Sequence, residues 1–457
     1  MQQVYDDVLG LIGNTPIVRL NKIRPESGAY LYAKLEYLNP GASVKDRIAV
    51  QMVDDAERDG RLKPGGTIVE CTSGNTGMGL AMVGCIRGYR TILVMPDKVS
   101  QEKIKALRAF GARVITTPTA VAADDPRSYY SVAARIARET PNCFFANQYH
   151  NKSNPLSHEK TTGPEIWRQM GDALDAVVIA TGTGGTISGI GKVLRAHKPG
   201  VKLVCVDPVG SIYYDYWRTG NIPSLFKTYK VEGFGEDVMP STIDFSLIDE
   251  VVQVTDKECF TLARELTRKE GLFTGGSGGG CVAGALKWAK SHPEARSILV
   301  LLPDSGSRYL AKVFDDEWLR ANSFLDEEDR QGRVADLLTR RPQTLVAASP
   351  LDSVQDIVAL MKKHGVSQIP LTENGRVFGL ITEVRLLKVL LDDPTALDRP
   401  VKELAENSFD IVGPDTPVSR LSQIFSEGNV ALVQESDRTV ALVTKIDLID
   451  YLAALPA

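Results

Sequence analysis

Apolar runs alternate with amphipathic stretches along the first two thirds of the chain. Between about residues 40 and 305 the apolar runs predict strands, among them Thr67–Glu70, Arg90–Met95, Ala176–Ala180, Leu203–Val206 and Ser297–Leu302. The stretches Gln101–Phe110 and Ser128–Glu139 have helical periodicity and lie between those strands. Such alternation predicts a mainly parallel sheet covered by helices on both faces.

The pattern changes after Asp304. A charged stretch, Phe314–Asp329, predicts a linker helix, and beyond it Gly379–Leu387 aligns with Ala441–Ile449 as an internal repeat. Each copy has a proline-marked turn, an amphipathic helix, two strands and another helix, and such units bury their apolar faces against each other. We therefore expect a catalytic domain at residues 1–320, a linker at 321–335 and a tandem module at 336–457, with copies at about 336–395 and 396–457.

Composition narrows the classes of function. The 457 residues are 43% hydrophobic, and acids and bases are mixed along the chain to a formal net charge of −4, so no basic face predicts binding to nucleic acid or an anionic membrane. The chain starts without the pattern of a secretory signal and has no apolar run long enough to span a bilayer, so we expect a cytoplasmic protein. The six cysteines and five histidines are scattered, which predicts neither a disulfide nor a metal site.

One lysine stands out by its surroundings. The run Asn39–Arg47 places Lys45 beside a tight turn, at the start of a helix that runs through Ile48 and Met52. A lysine that is partly desolvated there has a lowered pKa and can form an imine with a carbonyl compound. Most lysines are solvated, however, so this motif alone leaves an ordinary exposed lysine as the alternative.

Two polar loops each follow a predicted strand and open a helix. In Glu70–Gly77, hydroxyls and backbone N–H groups converge at a positive helix end that suits a carboxylate, although an ordinary helix cap is the alternative. In Thr181–Thr186, glycines let the backbone approach an anion, as in a monophosphate cradle. A dinucleotide fold is the competing interpretation; Asp207 supports it, and Ile187 in place of the third glycine opposes it.

A third glycine-rich run, Thr274–Cys281, precedes a helix that we expect to start near Val282. By itself it is either a flexible joint capped by Ser277 or part of a site. The lysine, the carboxylate loop, the phosphate loop and this run occur in the order expected of one cofactor pocket, and pyridoxal phosphate fits all four. The combination favours a pyridoxal-phosphate enzyme.

These motifs resemble the tryptophan-synthase-β type of pyridoxal-phosphate enzyme and, along nearly the whole chain, the cystathionine β-synthase family. Asn39–Arg47 and Thr72–Gly77 are shared with cysteine synthases, whereas Val231–Pro240 and the C-terminal repeat are similar to cystathionine β-synthases specifically. The resemblance implies an α/β catalytic domain of PLP fold type II, followed by an α+β tandem CBS-domain (Bateman) module.

The resemblance also implies roles for single residues. Lys45 is the Schiff-base lysine, Asn75 contacts the ring hydroxyl and Ser277 faces the pyridine nitrogen. The phosphate is held by Gly182, Thr183, Gly184, Gly185 and Thr186. The substrate carboxylate is surrounded by Thr72, Ser73, Asn75, Thr76 and Gln148.

The implied reaction is the condensation of L-serine with L-homocysteine to L-cystathionine and water, with hydrogen sulfide released when cysteine replaces serine. The alternatives are a cysteine synthase that uses O-acetylserine or O-phosphoserine, a serine or threonine dehydratase, and an inactive sensor of adenosyl ligands. Catalytic-type sequence starts within about the first dozen residues, without the haem-binding extension of animal members, so we expect no haem. Glu236 occupies a position where animal members have a tyrosine.

CBS-domain pairs often bind adenosyl ligands, and a Thr-x-x-Asp pattern commonly holds the ribose. The second copy has Thr444 and Asp447, whereas the first has Thr382 and Arg385 and so lacks the acid. The resemblance therefore implies at most one site for S-adenosylmethionine or a related ligand, with a structural role in assembly as the alternative. A homodimer is likewise expected from the resemblance.

Overall fold

A computed structural model describes residues 4–72, 74–97, 99–118, 121, 125–222, 228–325, 332–340, 345–373, 376–435 and 438–455. The chain divides into two compact units, Met1–Phe324 and Leu325–Ala457.

The first unit contains ten strands in its described part. In chain order they are β1 (Ile17–Arg19), β2 (Tyr30–Leu35), β3 (Thr67–Cys71), β4 (Arg90–Pro96), β5 (Arg113–Thr117), β6 (Cys143–Phe145), β7 (Ala176–Ala180), β8 (Lys202–Pro208), β9 (Glu250–Val254) and β10 (Ser297–Leu302). They form a six-stranded sheet in the order β1-β2-β10-β7-β8-β9 and a four-stranded sheet in the order β5-β4-β3-β6. Apart from β1 against β2, neighbouring strands are parallel. The predicted parallel arrangement is confirmed, but the expectation of one sheet is wrong.

In the described part of the first unit, eleven α-helices lie between these strands or follow the last one. They are α1 (Lys45–Arg58), α2 (Asn75–Arg87), α3 (Gln101–Ala109), α4 (Tyr129–Glu139), α5 (Ser153–Lys160), α6 (Thr162–Met170), α7 (Gly185–His197), α8 (Tyr213–Thr219), α9 (Asp256–Glu265), α10 (Gly276–Ser291) and α11 (Asp316–Ala321). Local sequence explains several starts: Ser100 and Ser128 cap α3 and α4, and Thr255 with Glu258 forms a capping box for α9.

The glycine-rich run before Val282 is helical, so the expected helix start near Val282 is wrong: α10 begins at Gly276. The glycines serve packing, because a Cβ atom on Gly279 would lie 2.0 Å from the Cys259 carbonyl oxygen of α9. The run therefore allows close contact between two helices and is not a flexible joint.

The charged stretch expected to be a linker helix is helical only over α11, while residues 326–329 of that prediction lie outside the described residues. Asp315 caps α11. The Phe260 ring contacts Trp318 and Phe324, with ring centroids 5.7 and 5.1 Å apart. Aromatic contacts thus fix this segment onto the first unit.

The second unit has the predicted order of elements in both copies. The first contains α13 (Val354–His364), β11 (Gln368–Glu373), β12 (Arg376–Thr382) and α14 (Glu383–Asp392), after α12 (Val334–Arg340). The second contains β13 (Phe409–Val412), α15 (Val418–Ser426), β14 (Val430–Glu435), β15 (Arg438–Val443) and α16 (Lys445–Ala453).

The cores of the two copies exchange short segments. Val334 and Leu337 of α12 pack into the core formed by α15, β14 and β15, although α12 comes directly before α13 of the first copy in sequence. Val401 and Leu404 pack into the core of the first copy, although they follow its last helix. Each copy therefore depends on residues that the repeat pattern alone assigns elsewhere.

Candidate active site

Lys45 is the first residue of α1. The backbone just before it is held by the segment that follows β10. The Val44 N–H donates to the Pro303 carbonyl at 2.8 Å, and Ser43 forms a backbone bridge with Asp304. The Lys45 side chain is half-buried, and none of the described residues accepts a hydrogen bond from its ammonium group. Burial lowers its pKa, while the negative charges of Asp304 and Glu236 oppose that effect. This environment differs from that of an ordinary exposed lysine.

A buried ionic network anchors the first turn of α1. Arg47 donates to Glu36 and Glu165 at 2.7 Å each, and Lys34 donates to Glu165 at 2.9 Å. Burial alone would raise the pKa of Glu165, but Arg47 and Lys34 hold it at about 2. The network is fully paired, so it fixes the backbone that presents Lys45.

The carboxylate loop lies between β3 and α2. The Thr72 hydroxyl accepts the Gly74 N–H at 3.1 Å, and the Thr76 hydroxyl donates to Gln148 Oε1 at 2.6 Å. Thr72, Thr76 and Gln148 are buried, and the helix is not capped by a side chain. The loop is thus more than a helix cap, and it brings Thr76 and Gln148 together as expected; Ser73 lies outside the described residues.

The phosphate loop lies between β7 and α7. The Gly182 carbonyl accepts the Tyr213 hydroxyl at 2.5 Å, the Thr183 hydroxyl accepts from Asn154 at 2.9 Å, and the Thr186 hydroxyl pairs with His158 Nε2 at 3.1 Å. Gly184 has a φ of 79°, which favours glycine. The loop is therefore held from several sides around the N-terminus of a 13-residue helix, where a monophosphate fits the donor set.

The histidine that contacts the phosphate loop carries no charge. His158 is fully buried, and burial lowers its pKa to about 3, so it is neutral at physiological pH.

Asp207, which would hold the ribose in a dinucleotide fold, is also fully buried and accepts the Tyr214 N–H at 3.0 Å. It is not accessible to a ribose, which disfavours the dinucleotide interpretation.

Asp304, which belongs to none of the sequence motifs, connects several predicted cofactor contacts. It accepts hydrogen bonds from Asn75 Nδ2 at 2.8 Å, from the Tyr309 hydroxyl at 2.6 Å and from the Ser277 hydroxyl at 3.3 Å. Arg308 donates to Asn75 Oδ1. A sequence signal existed, because these residues follow β10, and ligands of open α/β sheets bind beyond the carboxyl ends of strands.

Glu236 is half-buried next to the phosphate loop. Its Oε1 lies 3.7 Å from the position that a Cβ atom on Gly182 would take. Burial, followed by the charge of Asp237, raises the pKa of Glu236 well above its usual value, while Lys45 opposes this shift. A carboxyl group whose proton is held more tightly than usual therefore lies within electrostatic reach of Lys45.

The comparisons with known proteins agree with this geometry. A family model described as pyridoxal-phosphate dependent enzyme matches residues 8–304, and a CBS domain model matches residues 334–392. The cystathionine beta-synthase of Dictyostelium discoideum is 39% identical over 98% of this chain and 92% of its own length. The Saccharomyces cerevisiae cystathionine beta-synthase is 37% identical over 98% of each chain. The chain belongs to the cystathionine beta-synthase family.

Solved structures support the same placement. The crystal structure of O-ureido-L-serine synthase has a TM-score of 0.63 and 38% identity, covering 70% of this chain and all of its own. A hydrogen sulfide-producing enzyme from Fusobacterium nucleatum has a TM-score of 0.62 and 35% identity, covering 67% of this chain and 99% of its own. Family membership confirms a pyridoxal-phosphate-dependent enzyme with a fold type II catalytic part and a CBS-domain module.

In the module, Thr444 and Asp447 form a capping box at the start of α16. The Thr444 hydroxyl and N–H both donate to Asp447 Oδ2, at 2.7 and 2.8 Å. In the first copy, Thr382 caps α14 by accepting the Arg385 N–H at 3.1 Å, and Arg385 lies 3.8 Å from Glu406. The two copies therefore present opposite charges at equivalent positions.

Among the residues that the structure describes, every helix is too short or too polar to cross a membrane.

Proposed function

We propose that the chain condenses L-serine with L-homocysteine to form L-cystathionine and water. The observation that carries the proposal is the half-buried Lys45, whose ammonium group has no hydrogen-bond partner among the described residues. It lies within electrostatic reach of Asp304, which also binds Asn75 of the carboxylate loop. Membership of the cystathionine beta-synthase family supports this reaction.

The described residues fit pyridoxal phosphate. The phosphate would be held by Gly182, Thr183, Gly184, Gly185 and Thr186. A side chain at Gly185 would collide with Asn154, and the loop lies at the N-terminus of α7, where backbone N–H groups bind anions. Asn75 would contact the ring hydroxyl, and Ser277 the pyridine nitrogen. When bound, the cofactor supplies an electron sink for negative charge at the α-carbon of an amino acid.

Lys45 would hold the cofactor covalently and then move the proton at the α-carbon of the substrate. Its lowered pKa favours the uncharged amine, which is the form that abstracts a proton. Thr72, Thr76 and Gln148 would orient the substrate carboxylate together with Asn75 and Ser73. A substrate held in this way presents its α-proton to a single base.

The donor decides the leaving group. L-Serine would release water, and L-cysteine would release hydrogen sulfide; the Fusobacterium nucleatum neighbour, titled a hydrogen sulfide-producing enzyme, supports the second reaction. The proposal is tested by measuring the rate of cystathionine formation from homocysteine with either serine or O-acetylserine as the donor. Mass spectrometry detects the cystathionine. Serine is expected to be used at least as well, and turnover with activated serine alone would contradict it. Lys45→Ala is the inactive control.

We propose that the C-terminal module binds one adenosyl ligand, such as S-adenosylmethionine, through Thr444 and Asp447. Asp447 carries the acid that a ribose hydroxyl requires, while the first copy has Arg385 there. Calorimetry with S-adenosylmethionine should give one site per chain, and Asp447→Asn should remove it. Arg385→Asp restores the acid in the first copy and should raise the stoichiometry toward two; no heat with the wild type would refute the site.

We further propose that chemistry is confined to residues 1–320, with a linker at 321–335 and the regulatory module at 336–457, and that the chain acts as a cytoplasmic homodimer. The six cysteines are free, which suits a reducing compartment. Light scattering of the full chain tests the dimer. A monomer at assay concentrations would contradict it.

A further inference from the structure

The carboxylate of Asp304 lies where three parts of the proposed cofactor site meet. It is 1% exposed. One oxygen, Oδ1, accepts from the Ser277 hydroxyl at 3.3 Å, and the other, Oδ2, accepts from Asn75 at 2.8 Å and Tyr309 at 2.6 Å. Ser277 and Asn75 belong to different helices, so this carboxylate is a direct link between α10 and α2.

The backbone of Asp304 is tied to the same parts. Its carbonyl accepts the Thr274 hydroxyl at 3.0 Å and the Gly275 N–H at 3.2 Å, just before α10. Asp304 also forms a backbone bridge with Ser43, two residues before Lys45. A Cβ atom on Gly275 would lie 2.4 Å from Asp304 Oδ1, so the approach is already close. A shift of Asp304 would therefore move the Lys45 segment, the start of α10, or both.

Asp304 also acts on its surroundings through its negative charge. It stabilises the protonated form of Lys45. Because Arg308 donates to Asn75 Oδ1, the amide nitrogen of Asn75 must face Asp304, which fixes the orientation of that amide. Other charged or titratable groups act on this surrounding as well. Glu236 and His158 interact with Lys45, Cys281 and Tyr309 interact with Asp304, and Arg308, Glu232 and Lys103 lie around Tyr309 and Asn75.

We propose that Asp304 is a positioning residue for the cofactor. It fixes the amide of Asn75 at one polar edge of the pyridine ring, accepts the Ser277 hydroxyl proton at the other so that the Ser277 oxygen faces the ring nitrogen, and places a negative charge within electrostatic reach of the Lys45 nitrogen. The inference rests on the proposed function, since it takes the cofactor to be bound at Lys45. Asp304 contacts the groups that hold the cofactor and takes no proton from the substrate.

The test uses the full chain loaded with pyridoxal phosphate and follows the visible absorbance band of the bound cofactor against pH. Asp304→Asn removes the charge but keeps the shape, so the protonated nitrogen at Lys45 loses a stabilising neighbour. The titration midpoint should fall by about one pH unit, and cofactor affinity should decrease. Tyr309→Phe removes a donor from the same carboxylate and should shift the midpoint in the opposite direction. Asp172→Asn, at an exposed aspartate, should leave it unchanged.

An unchanged midpoint in folded Asp304→Asn would overturn the proposal. If circular dichroism shows that this variant does not fold, Tyr309→Phe decides: an upward shift supports the proposal, and no shift or a downward shift overturns it. A wild-type chain without any visible band would instead refute the proposed function and this inference with it. In Asp304→Asn, loss of cystathionine formation together with an unchanged absorbance band and an unchanged titration midpoint would overturn only the positioning role.

Discussion

Replacing Gly185 with alanine should distort the phosphate cradle. The added methyl group would lie 2.0 Å from Asn154 Oδ1 and 2.4 Å from its Cγ. Asn154 is 1% exposed and donates to the Gln148 carbonyl at 2.8 Å and the Thr183 hydroxyl at 2.9 Å, so it cannot move aside without losing both bonds. Losing two buried hydrogen bonds costs about 2–4 kcal/mol, and the better helix propensity of alanine offsets about 1 kcal/mol.

Because the phosphate binds only the undistorted cradle, the net cost of about 1–3 kcal/mol should weaken cofactor binding roughly 5- to 150-fold. Titration of the apoenzyme with pyridoxal phosphate, followed by absorbance, measures this loss. Gly200→Ala is the matched control, because nothing lies within 4 Å of its added methyl group. Since Asn154 is the obstacle, Gly185→Ala should have little further effect in an Asn154→Ser background. Wild-type affinity in Gly185→Ala would refute the described cradle.

Two further predictions concern a buried and a half-buried carboxylate. Burial raises the pKa of Glu70 from 4.5 to about 8, so the folded chain loses stability as pH rises through that window. Glu70→Gln lacks this loss and should match the wild type in urea unfolding at pH 4.5 but exceed it by up to about 4 kcal/mol at pH 8; equal stability at both pH values would contradict it. Glu232 binds Lys103 at 2.5 Å and Lys312 at 2.6 Å. Glu232→Ala leaves both lysines unpaired and should destabilise the chain by about 2–3 kcal/mol, which Lys103→Met should partly restore; an unchanged melting temperature would argue against this pairing.

The sequence pattern predicted the bounds of strands in which every residue is buried. Ala176–Ala180 and Ser297–Leu302 are strands with the predicted bounds because every residue in them is buried, so a continuous apolar run marks their full length. The division into two sheets was not predictable in this way. Burial of a strand does not reveal which strand it pairs with, since pairing depends on the packing of the whole unit.

The glycine-rich run before Val282 shows a different limit. Glycine lowers helix propensity, so the run resembled a joint, but contact with Cys259 of α9 makes glycine necessary inside α10. Asp304 was missed for a related reason. Its position after a strand was a signal, but its partner Asn75 lies 229 residues away in sequence. Only the fold shows that they meet.

The central claim is that Lys45 carries the cofactor. Borohydride reduction of the purified chain, followed by peptide mass mapping, tests it most directly, with cystathionine formation from serine and homocysteine measured on the same preparation. The account predicts a phosphopyridoxyl group on the peptide that contains Lys45 and cystathionine as the product. A reduced protein without any such group, or with the group on a different lysine, would contradict it.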